Sequence, residues 1–123
     1  MESVFDHVIL DVDDLARARG FYERALAPLG IGVVMEFDDR CAFGDKTGKP
    51  QFWLAARGTP AASGIHVAFS AETREAVDAF HRAAVAAGGT DNGEPGLRPQ
   101  YHPTYYGAFV LDPNGNNLEA VHH

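Results

Sequence analysis

The feature that most restricts the fold of this chain is an internal repeat. The stretch HVILDVDDLARARGFYERALAPLG, which begins at His7, aligns with HVAFSAETREAVDAFHRAAVAAGG, which begins at His66. Both copies start with a short apolar segment led by His-Val, pass through a polar break, and close an amphipathic segment with glycine. Repeats of this kind are single supersecondary units, and one copy cannot bury its apolar face or close a sheet without the other.

Each copy predicts a helix after its first strand. Apolar side chains recur at the i, i+3, i+4, i+7 spacing of one helix face. Asp13 or Asp14 can cap the first helix, Ser70 can cap the second, and Gly30 and the glycines at 88–89 can stop them. The two stripes comprise Leu15, Ala18, Tyr22, Ala25, Leu26 and Leu29 in the first copy, and Val77, Phe80, Ala84 and Ala87 in the second.

Short strand-like runs follow each helix. The first half contains IGVVMEF, RCAFGD and PQFWLAA, with a turn at 45–48, and the second contains YYGAFVLD and NLEAV around the turn DPNG. We therefore predict a single α+β domain over 1–123, made of two βαβββ modules at about 1–57 and 64–123. A Gly-, Pro- and Ala-rich linker at 57–63 joins them. The strands are expected to form a half-open, curved mixed-sheet barrel with helices on the outside, so that a ligand site on its floor draws on both modules.

Charge and composition exclude several classes of partner. The formal net charge is −7, and the ten basic residues are scattered, which argues against nucleic acid or an anionic membrane surface. The single cysteine, Cys41, cannot form an internal disulfide. No apolar run is long enough to predict a membrane span, so a cytoplasmic protein is expected.

Three side chains in the predicted strands have the chemistry of metal ligands. His7 is predicted on the strand face of Phe5 and Ile9, His66 occupies the equivalent position of the second copy, and Glu119 lies within the last strand. Two imidazoles and one carboxylate form the facial set that leaves open positions on a divalent cation. The alternative for each residue alone is a hydrogen-bonded core or edge side chain.

The segments FDHVILDVDDLARARGFYERAL, GIHVAFSA and YYGAFVLDPNGNNLEAV together resemble the vicinal oxygen chelate superfamily. This superfamily includes glyoxalase I, extradiol dioxygenases, fosfomycin-resistance transferases and bleomycin-binding proteins. The resemblance covers nearly the whole chain. It implies paired βαβββ modules and a divalent metal ion, of unresolved identity among Fe, Mn, Zn and Ni, held by His7, His66 and Glu119.

The chain departs from glyoxalase I at a fourth ligand position. That branch has a further ligand, usually Glu, late in the first module, where this chain has PQFWLAA. The position falls on Phe52 or Trp53, neither of which binds a metal, and Gln51 is the nearest oxygen donor. The three-ligand pattern is closer to the extradiol dioxygenase and fosfomycin-transferase branches.

The stretch RPQYHPTYYGAF is unusually rich in polar aromatic residues. Tyr101, His102 and Tyr105 are candidate catalytic residues, because Tyr and His can donate hydrogen bonds or protons to a metal-bound oxyanion. Arg98 can hold a carboxylate or phosphate by two hydrogen bonds, and with Tyr106 and Trp53 it forms the candidate substrate-binding set. The alternative is a proline-punctuated loop whose aromatic rings only pack.

Two classes of function remain open at this point. One is a metal-dependent enzyme of glyoxalase or dioxygenase type, acting as lyase, isomerase, transferase or dioxygenase on a small substrate that chelates the metal through adjacent oxygens. The other is a metal-independent binding protein like the bleomycin-sequestering branch, for which the acidic net charge suits a cationic drug. In relatives of this size the modules often pair across two chains, so we expect a homodimer in which His7 of one subunit meets His66 and Glu119 of the other. Pairing of the modules within one chain is the alternative.

Overall fold

The computed structural model of the protein describes residues 3–123. It contains two modules with the same order of elements, as the repeat predicts. The first module comprises β1 (Val8–Asp11), α1 (Leu15–Leu26) followed by a 3-10 turn (Ala27–Leu29), β2 (Gly32–Glu36), β3 (Arg40–Gly44) and β4 (Phe52–Ala55). The second comprises β5 (His66–Ser70), α2 (Arg74–Ala86), β6 (Thr90–Leu97), β7 (Tyr106–Leu111) and β8 (Asn117–His122).

Each module forms one four-stranded mixed sheet. The strand orders are β1-β4-β3-β2 and β5-β8-β7-β6, so the first and last strands of each module are neighbours. Those neighbours run parallel because a helix connects the first strand to the rest, and the remaining pairs are antiparallel. The α+β fold and the two βαβββ modules predicted from the sequence are confirmed.

The helices begin and pack largely as their patterns predict. Asp14 caps α1 by accepting a hydrogen bond from the backbone N–H of Arg17 at 3.1 Å. The cap of α2 is Thr73, which accepts from the N–H of Ala76 at 3.0 Å. The prediction of Ser70 as this cap was wrong, because Ser70 is the last residue of β5 and the chain needs three more residues to turn into the helix.

The modules meet through their helices. The helices α1 and α2 contact each other, and each covers one face of its own sheet. The Tyr22 hydroxyl of α1 donates a 2.5 Å hydrogen bond to Asp112, which follows β7, so a buried polar contact also joins the modules. Within residues 3–123 no strand of one sheet pairs with a strand of the other, and one chain therefore leaves the barrel open.

Two strand boundaries differ from the sequence prediction. The first strand begins at Val8, so His7 precedes the strand instead of lying within it. The segment 90–97 is a strand, β6, although its sequence TDNGEPGL contains two glycines and a proline and was not assigned as one. No helix in the described part of the chain is long and apolar enough to cross a membrane.

Candidate metal and substrate site

Two of the three proposed ligands lie together on the second sheet. His66 begins β5 and Glu119 lies in the middle of β8, and the parallel register sets Ala68 directly opposite Glu119. Alternation along each strand therefore points both side chains to the face that α2 does not cover, which we call the open face. The Nε2 atom of His66 lies 2.9 Å from Oε1 of Glu119.

The Glu119 carboxylate is enclosed while its imidazole neighbour is open to solvent. The side chain of Glu119 is 3% exposed, and that of His66 is 52% exposed. A carboxylate oxygen only accepts hydrogen bonds, so the imidazole tautomer that satisfies this contact carries its proton on Nε2 and donates it to Oε1. One proton thus bridges His66 and Glu119 at the position where a metal cation would bind both side chains.

Tyr105 holds the other oxygen of the same carboxylate. Its hydroxyl donates a hydrogen bond to Oε2 of Glu119. Gly107 makes room for this contact, since a Cβ there would lie 3.3 Å from the Tyr105 ring and 3.5 Å from Oε2. Burial, followed by the hydrogen bond to Glu119, raises the pKa of Tyr105 to about 12. At neutral pH Tyr105 is consequently a protonated donor and not a base.

His7 lies apart from this pair in a single chain. Its Nδ1 atom lies 2.8 Å from Oδ1 of Asp6, and both side chains are largely exposed. Within residues 3–123 of one chain, no group of three His, Cys, Asp or Glu side chains is arranged to hold a metal ion. A three-ligand site within one chain is not formed here, and the division of the ligands between two subunits stays a prediction.

Arg98 is on the open face together with His66 and Glu119. Its guanidinium carbon lies 5.6 Å from the ring centre of Phe109, and the His66 ring lies 6.1 Å from that same ring. Phe109 stands directly opposite Glu119 in the pairing of β7 with β8. The cation, the aromatic ring and the ligand pair thus form one continuous surface.

Tyr101 and His102 belong to the loop beside this surface but do not hydrogen-bond to the Glu119 carboxylate. The Tyr101 ring lies 5.1 Å from that of Tyr105 and is exposed. The Nδ1 atom of His102 accepts hydrogen bonds from the backbone and hydroxyl of Thr104, at 3.2 and 3.0 Å, so these contacts are internal to the loop. Among these loop residues Tyr105 makes the contact with Glu119.

Neither Tyr106 nor Trp53 lies on the open face of the second sheet, where His66 and Glu119 meet. The hydroxyl of Tyr106 donates a 2.6 Å hydrogen bond to Asp78 of α2, which puts this ring on the helix-covered face. Trp53 lies in the first sheet opposite Ile9, and its indole N–H donates to the carbonyl of Pro50 at 3.2 Å. Trp53 therefore belongs to the first sheet, whereas His66 and Glu119 belong to the second.

The register shows which of Phe52 and Trp53 lies on the uncovered face of the first sheet. Val8 pairs with Phe52 and Ile9 pairs with Trp53, and Phe52 is buried beneath α1. Trp53 is therefore the residue on the uncovered face of the first sheet. An indole has no lone pair for a metal ion, so the chain offers no ligand at that residue.

The site residues that neither bind a metal nor transfer a proton were not predicted from the sequence. No chemical role is predicted from the sequence for Phe109, Gly93, Gly96 or Gly107. The available signal was alternation, because Gly107 and Phe109 lie two and four residues after Tyr105 and share its face. Gly93 and Gly96 gave no comparable signal, since β6 itself was not predicted.

Comparisons with known proteins agree with this fold. The sequence profile described as Glyoxalase/Bleomycin resistance protein/Dioxygenase superfamily matches residues 4–120. A crystal structure of a glyoxalase/bleomycin resistance protein from Albidiferax ferrireducens T118 is 34% identical, with a TM-score of 0.84 over 98% of this chain and 99% of that one.

More distant solved structures share the fold. A glyoxalase/bleomycin resistance protein/dioxygenase family enzyme from Burkholderia phytofirmans PsJN is 21% identical, with a TM-score of 0.73 over 95% of this chain and 96% of that one. Lactoylglutathione lyase from Agrobacterium tumefaciens is 19% identical, with a TM-score of 0.70 over 99% and 94%. No curated protein sequence matches this chain.

Proposed function

The chain belongs to the Glyoxalase/Bleomycin resistance protein/Dioxygenase superfamily, and from that premise we propose that it is a divalent-metal-dependent enzyme. Its substrate is a small molecule that chelates the metal through two adjacent oxygens. The observation that carries the proposal is the contact between His66 and Glu119, whose donor atoms lie 2.9 Å apart on an open sheet face.

The proposed metal ligands are His66 and Glu119 of one subunit and His7 of the partner subunit. The donor set fits a divalent first-row cation, because imidazole nitrogen and carboxylate oxygen both bind Fe, Mn, Zn and Ni. The 2.9 Å separation is of the order expected for two ligands of one small cation, whose bonds are about 2.0–2.2 Å long. Metal uptake would replace the proton that now joins the two groups and release it to solvent.

The edges of the two sheets support a site divided between subunits. The strands β1 and β5 are terminal in their sheets, and each has a histidine at its beginning or directly before it. Unpaired edges are templates for pairing with another chain. Exposed apolar side chains lie along these edges at Phe5, Ile9 and Ile65, which is unusual for a surface that stays in water. We therefore propose a homodimer in which the sheet of one subunit meets that of the other edge to edge.

The chain's own residues have distinct proposed roles. The bound metal would act as a Lewis acid toward the substrate oxygens. Tyr105 is a protonated donor whose single O–H is directed at Glu119, and its proposed role is to fix that carboxylate in the orientation that would bind the metal. Phe109 offers an apolar wall beside His66 that excludes water from one side. Lyase, isomerase, transferase and dioxygenase chemistry are all compatible with these roles.

A mixing experiment tests the divided site. His7→Ala and His66→Ala are each expected to lose most of the Mn²⁺ that the wild type retains after equilibrium dialysis. When equal amounts of the two variants are unfolded and refolded together, metal content should return to about one quarter of the wild-type value. Half of the random pairs are mixed dimers, and each of these has one complete site and one doubly altered site.

The refolded single variants are the matched controls. A mixture that binds no more metal than either variant alone would overturn the division between subunits. A wild-type protein that takes up no divalent metal would overturn the enzyme proposal and favour the metal-independent binding protein.

A further inference from the structure

We propose that Arg98 is an anion anchor on the open face, and that the substrate is accordingly a small organic anion. Its charged group, a carboxylate or a phosphoryl group, would bind the guanidinium while its other end reaches His66 and Glu119. The assignment of this anion as substrate rests on the proposed function, whereas the anchor itself is a binding site that can be measured alone.

Arg98 lies beside the ligand pair on the same surface. Its backbone N–H donates to the carbonyl of Tyr105 at 2.8 Å, which fixes the residue next to the tyrosine that holds Glu119. The guanidinium and the His66 ring both adjoin Phe109, at 5.6 and 6.1 Å from its centre. Because both groups adjoin the same ring, a small metabolite is long enough to reach from the guanidinium to the imidazole.

Glycines in β6 leave space for the side chain of Arg98. A Cβ on Gly93 would lie 3.4 Å from Nη2 of Arg98, and a Cβ on Gly96 would lie 3.1 Å from Nη1. Nη2 also donates a 2.7 Å hydrogen bond to the backbone carbonyl of Glu94. The missing side chains let the guanidinium lie along the strand, where the Glu94 carbonyl and the Phe109 ring hold it in place.

The guanidinium of Arg98 is not neutralised by a carboxylate among the described residues. Arg19 and Arg57 pair with carboxylates, but Arg98 forms no ion pair with any residue in the described range. A guanidinium has five N–H donors, and the bonds of Arg98 to the Glu94 and Leu97 carbonyls leave several of them free. The planar fork of such donors matches a carboxylate or a phosphate.

At this site the positive charge of Arg98 affects a bound ligand more than the net negative charge of the protein does. The net charge of −7 favours a cationic ligand at long range, but exposed charges are screened beyond a Debye length of about 8 Å in physiological salt. A ligand on the open face meets a half-buried guanidinium within that distance. The site therefore selects an anion against the sign of the whole molecule.

Binding titrations of the intact protein test the anchor. Succinate and inorganic phosphate would be titrated separately into ¹⁵N-labelled protein, and the backbone amide signals of Arg98 and Phe109 followed by NMR. We expect saturable shifts with at least one probe, and an Arg98→Met variant whose dissociation constant is about 10-fold weaker or more. Arg98→Lys keeps the charge without the fork and should bind with intermediate affinity.

Arg74→Met is the control, since it removes the same charge from the same module. Arg74 also stacks on an aromatic ring, that of Tyr106 at 5.0 Å, but on the helix-covered side of the sheet. It should bind both probes like the wild type. Stronger binding of succinate would identify a carboxylate and stronger binding of phosphate a phosphoryl group. Equal dissociation constants for Arg98→Met and Arg74→Met, or no saturation with either probe, would overturn the anchor.

Metal content measured on the same samples separates this inference from the proposed function. A protein that takes up no metal but binds a probe through Arg98 would overturn the enzyme proposal and leave the anchor standing. A protein that binds metal but whose affinity for the probes is the same in Arg98→Met and Arg74→Met would overturn the anchor and leave the enzyme proposal standing.

Discussion

Tyr105 illustrates how the surroundings of one side chain decide what it can do. Its hydroxyl donates to Glu119, while Gly107 leaves room for the ring to reach that carboxylate. A phenol whose pKa is raised keeps its proton where an ordinary tyrosine would begin to lose it. The residue can therefore orient and donate throughout the physiological range, and it cannot accept a proton there.

Alkaline titration checks this role. In a rapid pH jump followed by tyrosinate absorbance, Tyr105→Phe should lose a group that ionises near pH 12. Any stability from its bond is fully present below the ordinary tyrosine pKa of 10.0 and is lost as the pH rises through about 12. Glu119→Gln should lower the pKa of Tyr105, because the carboxylate contributes to its rise. An unchanged alkaline end of the curve in Tyr105→Phe would contradict the assignment.

At the scale of elements, β6 shows where sequence patterns fail. Strands such as β3, β4 and β7 were predicted because aromatic or branched residues alternate between turn signals. The segment TDNGEPGL has no such alternation of aromatic or branched residues, and Gly and Pro are depleted in strands. It pairs with β7 as an edge strand, with register irregularities between Asp91 and Gly93 and between Gly93 and Gly96. Its conformation is set by its neighbour, which local sequence does not describe.

A pair of glycine substitutions tests this geometry. Gly93 has φ 156°, and a Cβ there would lie 2.8 Å from Cδ2 of Phe109, so Gly93→Ala should destabilise the protein by about 1–3 kcal/mol in urea unfolding. Gly20 lies inside α1 with nothing within 4 Å of its missing Cβ. Gly20→Ala should stabilise by about 0.5–1 kcal/mol. Shifts of the same sign in both variants would contradict the structure of β6.

At the scale of the whole molecule, the sequence predicts the site only as far as one sheet. His66 and Glu119 share a face because their strands are neighbours in one repeat, and alternation suffices to place them. In the proposed dimer, the position of His7 relative to them would depend on which sheet edges associate. That information belongs to surfaces such as Phe5 and Ile65, whose contacts a strand pattern does not encode.

The mass of the protein in solution tests the proposed association. Sedimentation equilibrium should give twice the chain mass of 13.3 kDa, because β1 and β5 leave apolar edges unpaired in the monomer. Replacing Ile9 and Ile65 by lysine should shift the equilibrium toward the monomer, since lysine on an edge strand blocks pairing. A wild-type protein that sediments at 13.3 kDa under all concentrations would exclude the homodimer.

The bond between Tyr22 and Asp112 bears on how the chain reaches its native state during synthesis. The two residues are 90 positions apart, and Asp112 follows β7 in the second module. A ribosome has produced the entire first module long before the acceptor for the Tyr22 hydroxyl exists. Because an unsatisfied buried hydroxyl is costly, the first module is expected to stay loosely folded until most of the second module has been synthesised.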